Sequence, residues 1–226
     1  VEQEAVMTAL ELEIEERPQS EVEEVANSVS HGLGFLAALA AVPILLVATN
    51  ARNGNTSQLI GVSVFSATMV LLYLCSMCYH ALPPGRAKKL WVRLDHIAIF
   101  LFMAGSYTPF ALGALHEAWG AAAFGLVWGL AMIGAAMKAM NRLTHPLLST
   151  GLYVAMGWLV LVAAYPILQR MPPSGLFWLL GGGVAYTIGV VFFMLDSKLR
   201  FGHLVWHLFV MAGSTCHFFA VLWYPV

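Results

Sequence analysis

The sequence predicts an all-α bundle that crosses a membrane several times, and three observations carry the prediction. Hydrophobic residues make up 60% of the 226 and charged residues only 10%, and the mean hydropathy is +0.77, outside the range of soluble domains. The apolar residues gather in windows of about 20, the length that spans a hydrocarbon layer of roughly 30 Å. Within the windows polarity does not alternate, which excludes the strands of a membrane barrel.

In chain order, residues 1–26 form an acidic tail and residues 27–226 a transmembrane domain. The windows fall at 30–48, 58–80, 94–113, 118–137, 147–168, 175–195 and 203–223, which predicts a seven-helix bundle. Polar or chain-breaking residues separate them: Thr49 to Gln58, Pro83-Pro84-Gly85, His116-Glu117, Asn141 to Pro146, Pro172-Pro173 and Asp196 to Gly202. The tail has no basic leading region and no cleavage signature, so it reads as a partly helical or disordered cytoplasmic arm rather than a signal peptide.

Positive charge is retained on the cytoplasmic side of membranes. With the N-terminus inside, the inner segments hold Arg17, Arg86, Lys88, Lys89, Arg93, Lys138, Arg142, Lys198 and Arg200, and the outer segments only Arg52 and Arg170. The expected location is the cell's inner (plasma) membrane, multi-pass, with the C-terminal Tyr224-Pro225-Val226 outside. Nine of the twelve acids lie between Glu2 and Glu24. Nothing in the charge pattern points to a nucleic-acid partner. Cys75, Cys78 and Cys216 all fall inside windows, where small-residue packing accounts for them and no disulfide framework is implied.

Ionisable residues inside a membrane are costly unless paired and mark functional sites. Asp95 is the one acid inside a window. The second window runs inward and ends at His80; the third opens inside with Asp95 and His96 in its first turn, and the seventh opens inside with His203 and His207. Ser76, His80, Asp95, His203 and His207 are therefore expected at one depth, in the cytoplasmic leaflet. Residues four apart on a helix lie one turn above each other, so Ser76 pairs with His80 and His203 with His207. The latter pair can place two imidazoles on one divalent cation, and a third His would leave a fourth position for water, as in catalytic zinc sites. The same histidines could instead hydrogen-bond neighbouring helices.

These motifs resemble the superfamily of hemolysin III proteins and the progestin and adiponectin receptors, and more distantly the alkaline ceramidases. The matching residues are NSxSHGxG at Asn27 to Gly34, SxxxH at Ser76 to His80, LDHIAIFLFMAGSYTPF at Leu94 to Phe110, and His203, His207 and His217. The size and the seven helices resemble the bacterial hemolysin III branch. The resemblance implies that His80, His203 and His207 ligate Zn2+, that Asp95 contacts the metal or its water, and that Ser76 lies beside that water. Zinc also suits imidazole-rich, four-coordinate sites.

His217 lies ten residues past His207, about 15 Å along the helix, and reads as a packed, hydrogen-bonded residue. His31 is expected to close the bundle base or line an entry path, His96 to make headgroup or outer contacts, and His116 and His145 to sit in solvated loops. Met103-Ala104-Gly105-Ser106 recurs as Met211-Ala212-Gly213-Ser214, and the same offset sets Asp95 over His203; Gly and Ser at these points allow close helix approach.

Three functions follow as expectations. The first is a zinc-dependent hydrolase of a membrane lipid amide or ester, with Asp95 accepting a proton and Ser76 orienting water or the developing oxyanion. The second is a lipid or small-ligand sensor with structural zinc. The third is a pore or cytolysin, which gains little from a chain without a ring of acids or an amphipathic hairpin. There is no GxSxG, so a serine-hydrolase mechanism is not suggested.

Overall fold

The computed structural model describes residues 17–113, 117–143 and 145–224. Among these, α1 runs over Glu21–Ala51, α2 over Thr56–Ala81, α3 over Arg86–Gly113 and α4 over Glu117–Ala139. Then come α5 (Pro146–Gly157), a 3₁₀ segment (Trp158–Ala163), α6 (Ala164–Arg170), α7 (Pro173–Met194) and α8 (Gly202–Trp223). Six of the described helices, α1 to α4, α7 and α8, are long and apolar enough to cross a membrane. The fold is an all-α, multi-span membrane bundle. Residues 1–16 of the expected tail, His116, Pro225 and Val226 lie outside the described residues.

Caps explain where the first helices begin. Ser20 accepts a hydrogen bond from the Glu23 N–H while the Glu23 carboxylate accepts one from the Ser20 N–H, and Asn55 and Gln58 repeat the exchange at α2. Each pair satisfies two of the N–H groups that a helix start leaves without partners. Helix α1 thus starts well before residue 30, inside the stretch read as tail. Helix α2 stops at Leu82, which is extended, as expected before Pro83. Helix α3 begins directly after Gly85, so Asp95 and His96 sit well inside it rather than in its first turn. The basic run Arg86 to Arg93 is helical, and the hydropathy window had left it out because it is charged.

The fifth window differs most from expectation, being divided into α5, the 3₁₀ segment and α6. Pro166 has no N–H to give the carbonyl of residue 162, so an α pattern cannot pass through unbroken. The α pattern already gives way after Gly157, where backbone groups in hydrocarbon need partners from neighbouring helices, and Tyr107 of α3 supplies them. Its hydroxyl accepts from the Val160 N–H at 2.9 Å and lies 2.9 Å and 2.7 Å from the Met156 and Gly157 carbonyls.

Helices α1 to α4 pack successively, α7 packs on α8, and α8 returns to α1, while the broken span leans on α3 and touches α7 only lightly. Helix α2 is the most enclosed, with Phe65, Met69, Leu72 and Tyr73 in the main core. A second core joins α3, α4 and α5 around Phe100, Ala131 and Met156, where the Phe100 ring fills the notch left by Gly134. The repeated tetrapeptide has one packing role in both copies: Gly105 admits Thr68 of α2 and Gly213 admits the Tyr186 ring of α7. Ser106 and Ser214 each hydrogen-bond the carbonyl three residues back.

If Tyr107 holds the broken span, Tyr107→Phe takes the partner from a part-buried backbone N–H and from carbonyls that face hydrocarbon, at a cost of about 1–3 kcal/mol. Reversible unfolding in mixed micelles is expected to register that loss. Tyr165→Phe, at an exposed position, is expected to leave stability unchanged.

Candidate metal centre

The end of the bundle where α2 finishes and α8 starts collects the polar residues. His80 lies in the last turn of α2 and His203 and His207 in the first two turns of α8. Their ligating atoms all lie within 4.8 Å of one another, a group that could hold one metal ion. The ring centroids are 5.0 Å apart for His80 with either partner and 4.7 Å for His203 with His207. His80 and His207 are buried and His203 is half-buried.

The donor chemistry fits a cation. A metal-bound imidazole normally gives its other ring N–H to a carboxylate or carbonyl, which fixes the tautomer and aims the free lone pair. His80 Nδ1 lies 2.7 Å from Glu24 Oε2 and His203 Nδ1 2.8 Å from Asp196 Oδ2. His207 Nδ1 lies 3.0 Å from Ser30 Oγ and 3.3 Å from the Asn27 carbonyl. Because Ser30 gives its own proton to that carbonyl at 2.8 Å, its oxygen is left to accept from the imidazole. All three rings therefore have Nδ1 engaged and Nε2 available, and His80 Nε2 is buried with no hydrogen-bond partner. An orphaned lone pair of this kind is what a missing cation would satisfy.

Two further contacts hold the ligands. Lys88 reaches the second oxygen of Glu24 at 2.9 Å, so one carboxylate joins α1, α2 and α3. His31 stacks on His207, with centroids 3.5 Å apart and rings 9° from parallel, and meets Tyr73 edge-on. His31 supports a ligand ring and is not among the three clustered histidines. Outside the helices, Arg17 binds the Glu23 carboxylate at 2.7 Å and 2.8 Å, a hydrogen-bonded pairing that raises the guanidinium above its ordinary range. Glu23 also accepts from the Phe201 N–H at 2.8 Å. Phe201 has φ 59°, a backbone state that non-glycine residues rarely adopt, and its captured N–H anchors the turn that sends α8 off with His203 and His207.

Asp95 and Ser76 are buried and interact with each other. With His31 and His207 they line one end of a cavity of about 170 Å³ that runs up between α3, the broken span, α7 and α8. Asp95 is not one of the three clustered ligands. His96 is half-buried, with its carbonyl facing Tyr153, and His145 is exposed in the loop before α5.

Residues 19–218 match the model of a family described as Haemolysin-III related. The chain belongs to the haemolysin III family. Hemolysin-3 of Bacillus cereus is 38% identical over 202 residues, which cover 89% of this chain and 91% of that protein. The Hemolysin-3 homolog of Bacillus subtilis (strain 168) is 36% identical over 204 residues, 90% of this chain and 95% of that one. The human Monocyte to macrophage differentiation factor is 24% identical over 210 residues, 88% of this chain and 83% of that one. As a haemolysin III protein with six long apolar helices among its described residues, this is a multi-pass integral membrane protein, consistent with a plasma-membrane location.

The outer partners that the sequence did not mark as site residues are Glu24, Asp196 and Lys88; Ser30 lay within the quoted NSxSHGxG motif but was given no role. Glu24 looked like one more acid of a solvated tail. The only signal that could have singled it out is its place one helical turn before Ser28, on the face that α1 turns to the bundle. A carboxylate holding a ligand imidazole typically contributes 10-fold to 100-fold to metal affinity. Glu24→Gln keeps the size and loses the charge, so it is expected to weaken divalent-metal binding by about that factor in a chelator competition. Glu21→Gln, on the exposed side of the same turn, is expected to bind as the parent does.

Proposed function

We propose that this haemolysin III protein is a zinc-dependent hydrolase of a lipid amide or ester. One observation carries the reading: three imidazoles with oriented Nδ1 atoms and available Nε2 atoms cluster together, and one of them, His207, lines an apolar cavity whose wall also holds Asp95 and Ser76. A cavity lined by Leu72, Ile99, Phe102 and Val210 suits an acyl chain. Zinc, when bound, supplies Lewis acidity that activates water near neutral pH and polarises a carbonyl. Asp95, outside the cluster but in the wall of the cavity that His207 also lines, takes the proton of the attacking water and passes it to the leaving group. Ser76 donates its one hydroxyl proton to Asp95 and holds that carboxylate in place while it is ionised; once Asp95 has taken a proton, the hydroxyl is free to turn to the developing oxyanion. His80, His203 and His207 hold the ion, and the aliphatic wall keeps bulk water out.

The membrane arrangement belongs to the same proposal. The composite segment from Pro146 to Arg170 is long enough in residues to complete a seventh crossing, which puts the start of α3 with Arg86 to Arg93, the end of α4 with Lys138, and the turn after α7 with Lys198 and Arg200 on the cytoplasmic face and the site in the cytoplasmic leaflet. Labelling of single cysteines introduced at Lys88, Lys138 and Lys198 is expected to require permeabilised cells; external labelling at all three would reverse the orientation.

A second reading, a lipid sensor in which zinc is a structural staple, is favoured by the number of elements that meet at the cluster: α1, α2, α8 and the turn before α8. The two readings separate at Asp95. About one zinc per chain is expected in purified protein, and His207→Ala is expected to lower it sharply. Asp95→Asn is expected to keep the zinc and abolish lipid hydrolysis. Loss of zinc in Asp95→Asn as complete as in His207→Ala would make Asp95 a fourth ligand, close the site and favour the staple.

A further inference from the structure

The contact face between α3 and α4 carries a row of basic residues that the proposed chemistry does not use. Apolar packing along this seam runs through Ile97, Phe100 and Ala104 of α3 and Val127, Ala131 and Ala135 of α4, and the Phe100 ring sits in the Gly134 notch. At about 100° per residue, Lys89, Arg93 and His96 fall within about 40° of Phe100 around α3, and Lys138 within about 40° of Gly134 around α4. The two stripes that face each other therefore both turn basic at the end of the bundle that holds the histidine cluster.

The helices run antiparallel, so the Phe100–Gly134 contact sets the register. His96 lies four residues back from Phe100 and Lys138 four on from Gly134, each about 6 Å beyond that contact. The two are level, and the charge of Lys138 acts on the His96 imidazole. Both are half-buried, while Arg93 and Lys89, about one and two turns further out, are exposed. Helix α4 then ends with Asn141 at φ 56° and the Arg142 N–H on the Met137 carbonyl at 2.8 Å, a cap that turns the chain back and keeps Arg142 at this end.

Like charges on two packed faces repel, and the described acids are committed elsewhere. Glu23 is taken by Arg17, Glu24 by His80 and Lys88, and Asp196 by His203. Asp95 lies in the cavity wall, Glu117 opens α4 at the opposite end, and Glu21 stands on α1, which packs on α2 and α8. Among the described residues, Lys89, Arg93, Lys138 and Arg142 thus have no acid partner. Retention of positive charge on one side of a membrane asks only for basic residues near the span ends; it does not set them opposite each other on two packing faces. Leu90, next to Lys89, and Met140, between Lys138 and Arg142, are exposed apolar side chains.

We propose that this end of the α3–α4 seam binds an anionic phospholipid, with the headgroup phosphate held by Lys138, Arg93 and His96 and the acyl chains lying along the apolar surface beside them. Basic pockets between membrane helices hold anionic headgroups, and each Lys or Arg adds about 5-fold in affinity. The occupant has to be anionic for the seam and apolar for its surroundings, which selects a lipid over free phosphate. The site is separate from the histidine cluster and does not depend on the hydrolase reading.

Native mass spectrometry of the detergent-purified protein tests it, with phosphatidylglycerol and phosphatidylcholine of the same acyl chains as probes. The parent is expected to retain phosphatidylglycerol in preference. Lys138→Gln and Arg93→Gln are each expected to weaken its binding about 5-fold with zinc content unchanged, and Lys138→Arg is expected to keep it. Lys198→Gln, at an exposed basic position outside the seam, is expected to bind as the parent does. If one of the seam variants fails to fold, the other still decides. A preference that survives in the folded seam variants overturns the proposal, and so does an equal loss in Lys198→Gln, the mark of diffuse surface charge. A parent without preference also overturns it. Should replacing the six acids from Glu2 to Glu16 by Gln then create the preference, the occupant of the seam is the chain's own N-terminal segment.

Discussion

The bundle is organised around a constraint that water normally relieves: a polar atom in hydrocarbon must find its partner inside the protein. Three imidazoles can face one point only if each has somewhere to put its other nitrogen, and here those places lie on different elements. Glu24 and the Ser30–Asn27 pair come from α1, and Asp196 from the turn before α8. Helix α1 contributes none of the three clustered ligands yet holds two of them. That explains why it is tied down at both ends, by Glu23 to the Phe201 N–H at one and by Arg52 to the Leu222 carbonyl at the other.

The same constraint governs the broken fifth span. Where the α pattern gives way to 3₁₀ after Gly157, backbone groups would be left without partners against lipid, and the Tyr107 hydroxyl meets those of Met156, Gly157 and Val160. The consequence is spatial as well as energetic. A straight helix would pack along its whole length, whereas the kinked segment leans on α3 and leaves α7 lightly touched, so space remains between them. The cavity is bounded by residues on both sides of that break, Gly157 and Trp158 among them. A local backbone defect and a binding space are thus two aspects of one feature, with Tyr107 making the defect bearable.

What could be read from the sequence divides along the range of the interactions. The long helices follow from hydropathy, because lipid imposes its thickness on every crossing. The histidine cluster was legible because two of its members are one turn apart, and charge and helix direction carry the third to the same depth. The division of the fifth window was signalled by Pro166, but hydropathy averages over it. The early starts of α1 and α3 were hidden for the opposite reason: their first turns are charged, and a scale that rewards apolar residues stops short of a helix continuing into the interface. Glu24 could not be recognised, since it finds His80 across 56 residues, a separation that no local pattern encodes, whereas Asp196 stands only seven residues before His203 and was hidden by a turn whose path no helical spacing gives.

The position of Asp95 on α3, away from the helices that carry the histidines, has a physical rationale. If the acid stood in the HxxxH turn or beside His80, its charge would be fixed by the same backbone that fixes the ligands, and it would close the coordination sphere. On α3 it is held through Ser76 of α2 and faces the cavity, so its distance from the ion depends on the packing of α3 against α2. That interface is set by Gly105, which admits Thr68 at close approach, and by the Glu24–Lys88 contact that reaches the start of α3. Under the proposed hydrolase reading, retention of the ion and handling of a proton therefore share one anchor, because Glu24 holds His80 and also reaches Lys88 at the start of α3.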